Sequence, residues 1–124
     1  MAGSGFWDLS IITETPKMAI ILQVNYTPGP EQQSDAALIE IAEQISSSVI
    51  GLQWKVWISN ETDRLRGGIY LFDDVGTARA WGEGRLREML TAIGGTNISM
   101  KYFDVDKKLS VITRMPIRKG RIAA

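Results

Sequence analysis

The stretch from Leu52 to Phe72 restricts the fold of this chain more than any other. Leu52–Ser59 (LQWKVWIS) reads as a strand, with Leu52, Trp54, Val56 and Ile58 on one face and Gln53, Lys55, Trp57 and Ser59 on the other. Asn60–Arg66 is a mostly polar connection, and GGIYLFD, Gly67–Asp73, is a second strand. Two such strands joined by a short polar loop predict an antiparallel hairpin. Its tryptophans, Trp54 and Trp57, project to opposite faces, and in the second strand Ile69, Tyr70, Leu71 and Phe72 are all apolar. Such a hairpin needs cover on both sides.

The flanking sequence supplies the cover. Ala19–Thr27 (AIILQVNYT) predicts a first strand closed by Pro28-Gly29-Pro30. From Glu31 to Val49 the residues Leu38, Ile41, Ala42, Ile45 and Val49 make one apolar stripe at helical spacing. A second helix is expected from Val75 to Ile93, capped by Asp73 or Asp74 and ended by Gly94-Gly95. Its inner stripe is Val75, Ala78, Gly82, Leu86, Met89 and Ile93. Asn97–Val105 predicts the fourth strand, and Leu109–Arg114 a short last helix. The order βαββαβ is an α+β, ferredoxin-like arrangement: a four-stranded antiparallel sheet with two helices on one face. The even-numbered face of strands one, two and four is expected under the helices. The opposite face carries Ile21, Gln23, Asn25, Lys55, Trp57, Lys101 and Phe103, too aromatic to be left in water, which predicts a homodimer docked sheet to sheet. Residues 1–17 form an N-terminal arm, 18–115 the domain and 116–124 a basic C-terminal tail.

Composition narrows the chemistry. Fourteen basic and fourteen acidic residues cancel, which argues against a nucleic-acid or anionic-membrane surface. No apolar run approaches the ~20 residues a membrane span needs, and the N-terminus is a poor signal peptide, so a cytoplasmic protein is expected. The chain has no cysteine and no histidine. A thiol nucleophile, a disulfide, a thiolate metal site, a histidine base and a histidine-ligated metal or haem are thereby excluded. Tyr, Lys, Arg, Asp, Glu, Ser, Thr, Trp and the backbone are left to do any chemistry.

WKVW at Trp54–Trp57, GGIYLF at Gly67–Phe72 and KYFDVD at Lys101–Asp106 together resemble the YdhR-type monooxygenase family, in the same order from about Ala19 to Thr113. The chain departs from the family in its N-terminal arm, its longer basic C-terminus and Asp106 where Asn is commoner. The resemblance implies a dimeric α+β barrel, related in fold to the antibiotic-biosynthesis monooxygenases, and an oxygenase activity.

An oxygenase without a cofactor must draw electrons from its substrate: a phenol, quinol or anthrone loses a proton and its anion reduces dioxygen in a shielded pocket. The candidate catalytic residues are Tyr70, Lys55 and Arg85; the candidate substrate-binding residues are Tyr26, Asn25, Trp54, Trp57, Phe72, Trp81 and Phe103. Each has a plainer reading beside the functional one. Trp54 suits the core, and Trp57 suits either dimer packing or a pocket wall. Tyr26 and Tyr70 fit buried rings with wet hydroxyls as well as they fit substrate hydrogen bonds. Lys55, if desolvated, is a base or an anion partner; otherwise it is an interface or snorkelling lysine. Trp81 and Arg85 stand one turn apart and either wall a pocket or stack on the surface. Asn25 orients a ligand or makes an interface hydrogen bond. Asp73, Asp74, Asp104 and Asp106 sit at strand ends, where capping and turn roles dominate, and no metal is expected. Gly67-Gly68 lacks a phosphate-loop pattern and reads as a bulge or a close backbone contact.

Three functions fit these residues: a cofactor-independent monooxygenase acting on a small aromatic or quinone-like substrate; an isomerase, cyclase or decarboxylase of the same fold; and a non-catalytic dimer that binds a small ligand.

Overall fold

A computed structural model gives the architecture of residues 18–117, the residues described. The expected arm at 1–17 and the tail beyond 117 lie outside them. Strands β1 (Ile20–Thr27), β2 (Leu52–Asn60), β3 (Leu65–Phe72) and β4 (Thr96–Asp104) pair antiparallel in the order β2-β3-β1-β4. Helix α1 (Asp35–Ser48) connects β1 to β2. Between β3 and β4 the chain runs through α2 (Val75–Ala80), a π-helical turn (Trp81–Leu86) and α3 (Arg87–Ala92), and a short α4 (Lys107–Ile112) follows β4. This is the expected α+β, ferredoxin-like order.

The core lies between the helices and one sheet face. Ile20, Leu22 and Val24 of β1 and Tyr70 and Phe72 of β3 pack with Ile45 of α1 and with Ala78, Trp81, Leu86 and Leu90 of the second helical segment. Each fully buried aliphatic or aromatic side chain there contributes roughly 1.5–3 kcal/mol over leaving it in water. β3 is buried on both faces, since Tyr70, Leu71 and Phe72 are each at most 1% exposed.

The helices depart from expectation at their ends and in the middle. α1 starts at Asp35, not near Glu31, because Ser34 supplies the cap: its Oγ accepts the Ala37 N–H at 3.1 Å. The second helix is not continuous. At Gly84 the backbone turns to φ −104°, ψ −105°, and the chain passes through a π turn that buries Trp81, Gly82 and Leu86. Gly82 and Gly84, so close together, remove the side-chain packing that holds a regular helix there. Asp74, one of the two expected caps, accepts the Thr77 N–H at 2.8 Å. Gly94 at φ +84° ends α3, with the Gly95 N–H donating to Leu90 O at 2.9 Å, a Schellman closure.

One correction changes where the site residues lie. β2 bulges between Leu52 and Trp54: Leu52 opposes Phe72 and Trp54 opposes Leu71, with Gln53 inserted. One extra residue inverts the alternation beyond it. Lys55 therefore opposes Tyr70, and Trp57 opposes Gly68, on the helix-facing side, while Trp54, Val56 and Ile58 go to the open face. Strict alternation along LQWKVWIS had placed these two sets the other way round. On strands β1 and β4 the even face does lie under the helices, with Leu22, Met100 and Tyr102 joining the core.

Candidate functional site

The bulge turns Lys55 and Trp57 into a cavity of about 90 Å³ between the sheet and the helices. Val24, Tyr26, Gly68 and Tyr70 complete its sheet side. Leu38, Ile41 and Ile45 of α1 and Leu86, Met89, Leu90 and Ile93 of the second helical segment form its roof, with Gln33 from the loop before α1. The wall is apolar apart from a few polar groups, the usual character of a small-molecule pocket.

Lys55 is the cation in this wall. Its Nζ lies 3.5 Å from the Trp57 ring centroid and 4.7 Å from that of Tyr70. Gly68 makes this path available: a Cβ there would stand 2.7 Å from Lys55 Cε and 3.1 Å from the Tyr70 ring. At Gly67 a Cβ would collide with the Val24 carbonyl, so the glycine pair does serve close contact. No carboxylate pairs with Lys55 among the described residues. Burial without an anionic partner pulls its ammonium from the usual 10.5 down to about 8. The two ring faces soften that loss of water but do not replace it.

The two tyrosines of the cavity are held neutral. Burial raises the Tyr26 hydroxyl, partly offset by Arg66, its cross-strand neighbour. Burial raises Tyr70 far above the ordinary tyrosine range. The Trp81 indole N–H approaches the Tyr70 hydroxyl closely enough to ease that rise, but without a well-formed hydrogen bond. At neutral pH both hydroxyls are donors, suited to a ligand oxygen.

The remaining candidates are dispersed. Phe72 is in the core, stacked on Tyr70 at 6.1 Å between ring centroids. Trp81 is buried behind Tyr70, edge-on at 6.5 Å. Arg85 lies 6.0 Å from the Trp81 ring and borders a separate groove with Ser48, Ile50 and Gly76. Asn25, Trp54 and Phe103 lie on the opposite sheet face. There Asn25 Oδ1 accepts from Gln23 Nε2 at 3.0 Å, and the Trp54 indole N–H donates to the Pro116 carbonyl at 3.1 Å. Of the candidates named from the sequence, Tyr26, Lys55, Trp57 and Tyr70 share the cavity. Gln33 carries no signal in the sequence, and Gly68 shows there only as a close contact, not as part of a pocket. Leu38, Ile41 and Met89 read as core stripes, which is how a roof looks when only periodicity is visible.

The strand-end carboxylates have structural work. Asp106 caps α4 by accepting the Leu109 N–H at 3.0 Å, and Asp73 accepts from Gln53 Nε2 at 2.9 Å. Among the described residues no three acidic side chains gather as a metal would require, and no helix is long and apolar enough to cross a membrane.

The sequence pattern of the family described as putative mono-oxygenase YdhR matches residues 21–116. The chain belongs to the YdhR family. The match takes in the whole sheet from Ile21 onward, the helices and every residue of the cavity. No curated protein matches the chain. In the described residues the cavity brings apolar walls, a cation and two neutral hydroxyls together.

Proposed function

We propose that this YdhR-family chain is a monooxygenase that uses no metal or organic cofactor and oxidises a small aromatic or quinone-like molecule in the cavity between sheet and helices. The observation that carries the reading is Lys55, an amine with no carboxylate partner among the described residues, laid between the Trp57 and Tyr70 rings inside an apolar pocket. A chain with no histidine and no cysteine has few other bases to offer. As the free amine, Lys55 takes a proton from a phenol or an activated methylene; as the ammonium, it stabilises the resulting anion. The anion gives one electron to dioxygen, and the radical pair joins as a peroxide that takes back the proton. Loss of water then leaves a carbonyl. In sum, one activated methylene and one dioxygen give one ketone carbonyl and one water. The methylene carbon is oxidised by four electrons, both its hydrogens leave in the water, and each product takes one oxygen atom. Tyr26 and Tyr70, neutral at the working pH, donate hydrogen bonds to the substrate oxygen. The aliphatic roof keeps water from the peroxide. The homodimer belongs to the same proposal: two copies meet through the open faces that carry Ile21, Trp54, Val56 and Phe103.

Oxygen uptake with a panel of anthrones, naphthols and quinols tests the reading. The expected result is one oxygen molecule consumed per product, without added metal or flavin, and loss of turnover in Lys55→Met. Product formed without oxygen uptake would make the chain a proton-transfer enzyme. Tight binding without turnover would make it a ligand carrier.

A further inference from the structure

Across Lys55 from the main cavity lies a second, more polar groove of about 170 Å³. Ala42 and Ser46 of α1 form one side, and Leu52, Gln53 and Trp54 of β2 the other. Lys55 and Trp57 border both spaces, so they divide a two-part site rather than close one pocket. Gln53 is the residue inserted by the β2 bulge and is only 6% exposed. Its Nε2 is tied to Asp73 Oδ1 at 2.9 Å, which fixes the orientation of the amide. Its Oε1 is buried and accepts no hydrogen bond among the described residues. Buried polar atoms are nearly always satisfied, and this orphaned acceptor belongs to a residue that lines the groove, where a ligand hydroxyl could supply the missing donor.

We propose that this groove is a hydroxyl-binding subsite, in which Gln53 Oε1 accepts a hydrogen bond from a second hydroxyl of the aromatic substrate. The inference rests on the main cavity being the substrate site. A carbonyl oxygen accepts and does not donate, so Gln53 Oε1 pairs with an O–H and offers nothing to an ether or a ketone oxygen. The favoured substrate is a polyhydroxylated aromatic, its ring beside Trp57 and one hydroxyl carried past Lys55.

Binding under nitrogen, where turnover cannot occur, tests this with 2-naphthol, 2,3-dihydroxynaphthalene and 2,6-dihydroxynaphthalene, read by calorimetry. The wild-type chain is expected to bind the better diol about tenfold more tightly than 2-naphthol, as one well-formed hydrogen bond would give. Gln53→Met should bring diol and 2-naphthol within about twofold of each other while leaving 2-naphthol affinity intact. If that variant fails to fold, Ser46→Leu, which fills the groove from the exposed side of α1, should do the same without touching the buried amide. Equal affinity for diol and 2-naphthol in the wild type overturns the subsite alone, as does a diol preference that survives the substitution. Failure of every probe to bind overturns the cavity reading and the subsite with it.

Discussion

Lys55 sits between two aromatic rings with no carboxylate partner among the described residues, and its burial costs the folded protein stability at neutral pH. The folded chain releases this proton at about pH 8 and the unfolded chain near 10.5. Between those values the unfolded state binds more protons, so the stability of the wild type rises with pH across that window. Lys55→Met removes the charge and keeps most of the unbranched length. At pH 7 it should be the more stable protein, by on the order of 3 kcal/mol at most, with the gain shrinking towards the ordinary lysine range. Urea denaturation of both proteins at about pH 7 and about pH 10 checks this. The same residue sets the expected activity profile: kcat/KM rises with pH to a plateau above about 8, because the free amine is the base. In Lys55→Met that limb should vanish and turnover should fall roughly 10²–10⁴-fold. Gly68→Ala should leave the fold intact and displace the Lys55 stem, seen as lost turnover with a pKa nearer the ordinary lysine value in its pH profile.

At the scale of elements, the strands, their order and the helix stripes were legible because each rests on a local period that burial enforces. The register of β2 was not. Both phases of LQWKVWIS carry a tryptophan, so alternation alone cannot tell which of the two indoles belongs under the helices. The bulge at Gln53 selects one phase through contacts with β3 and Asp73, residues far along the chain. The break in the second helix was hidden in a similar way, since the spacing of Ala78, Leu86 and Met89 accommodates an added residue. The end of that helix was legible: Gly94-Gly95 closes it through a left-handed residue. Gly94→Ala places a Cβ at φ +84° and should cost about 1–2 kcal/mol, read as a lower urea midpoint with an unchanged m value.

For the whole molecule the open sheet face sets the expectation. Phe103 and Val56 are each about half exposed there, and an apolar sheet face of this kind is costly to leave in water. If two copies meet through it, Phe103→Glu should give a monomer by light scattering at micromolar concentration, with the circular dichroism of the folded chain retained. The same variant should keep 2-naphthol binding, because the cavity lies on the other side of the sheet.

The sequence by itself determined the βαββαβ order, the burial of β3 on both faces and the absence of histidine and thiol chemistry, because periodicity and composition are local properties of a chain. It also named four of the cavity residues, Tyr26, Lys55, Trp57 and Tyr70, although on the wrong face for Lys55 and Trp57. Only the tertiary structure decided that Lys55 and Trp57 turn inward, that Trp54 takes the open face, and that Gln53 is left with an unanswered acceptor. A bulge is a pairing between strands, and its energy lies in contacts that no single segment contains.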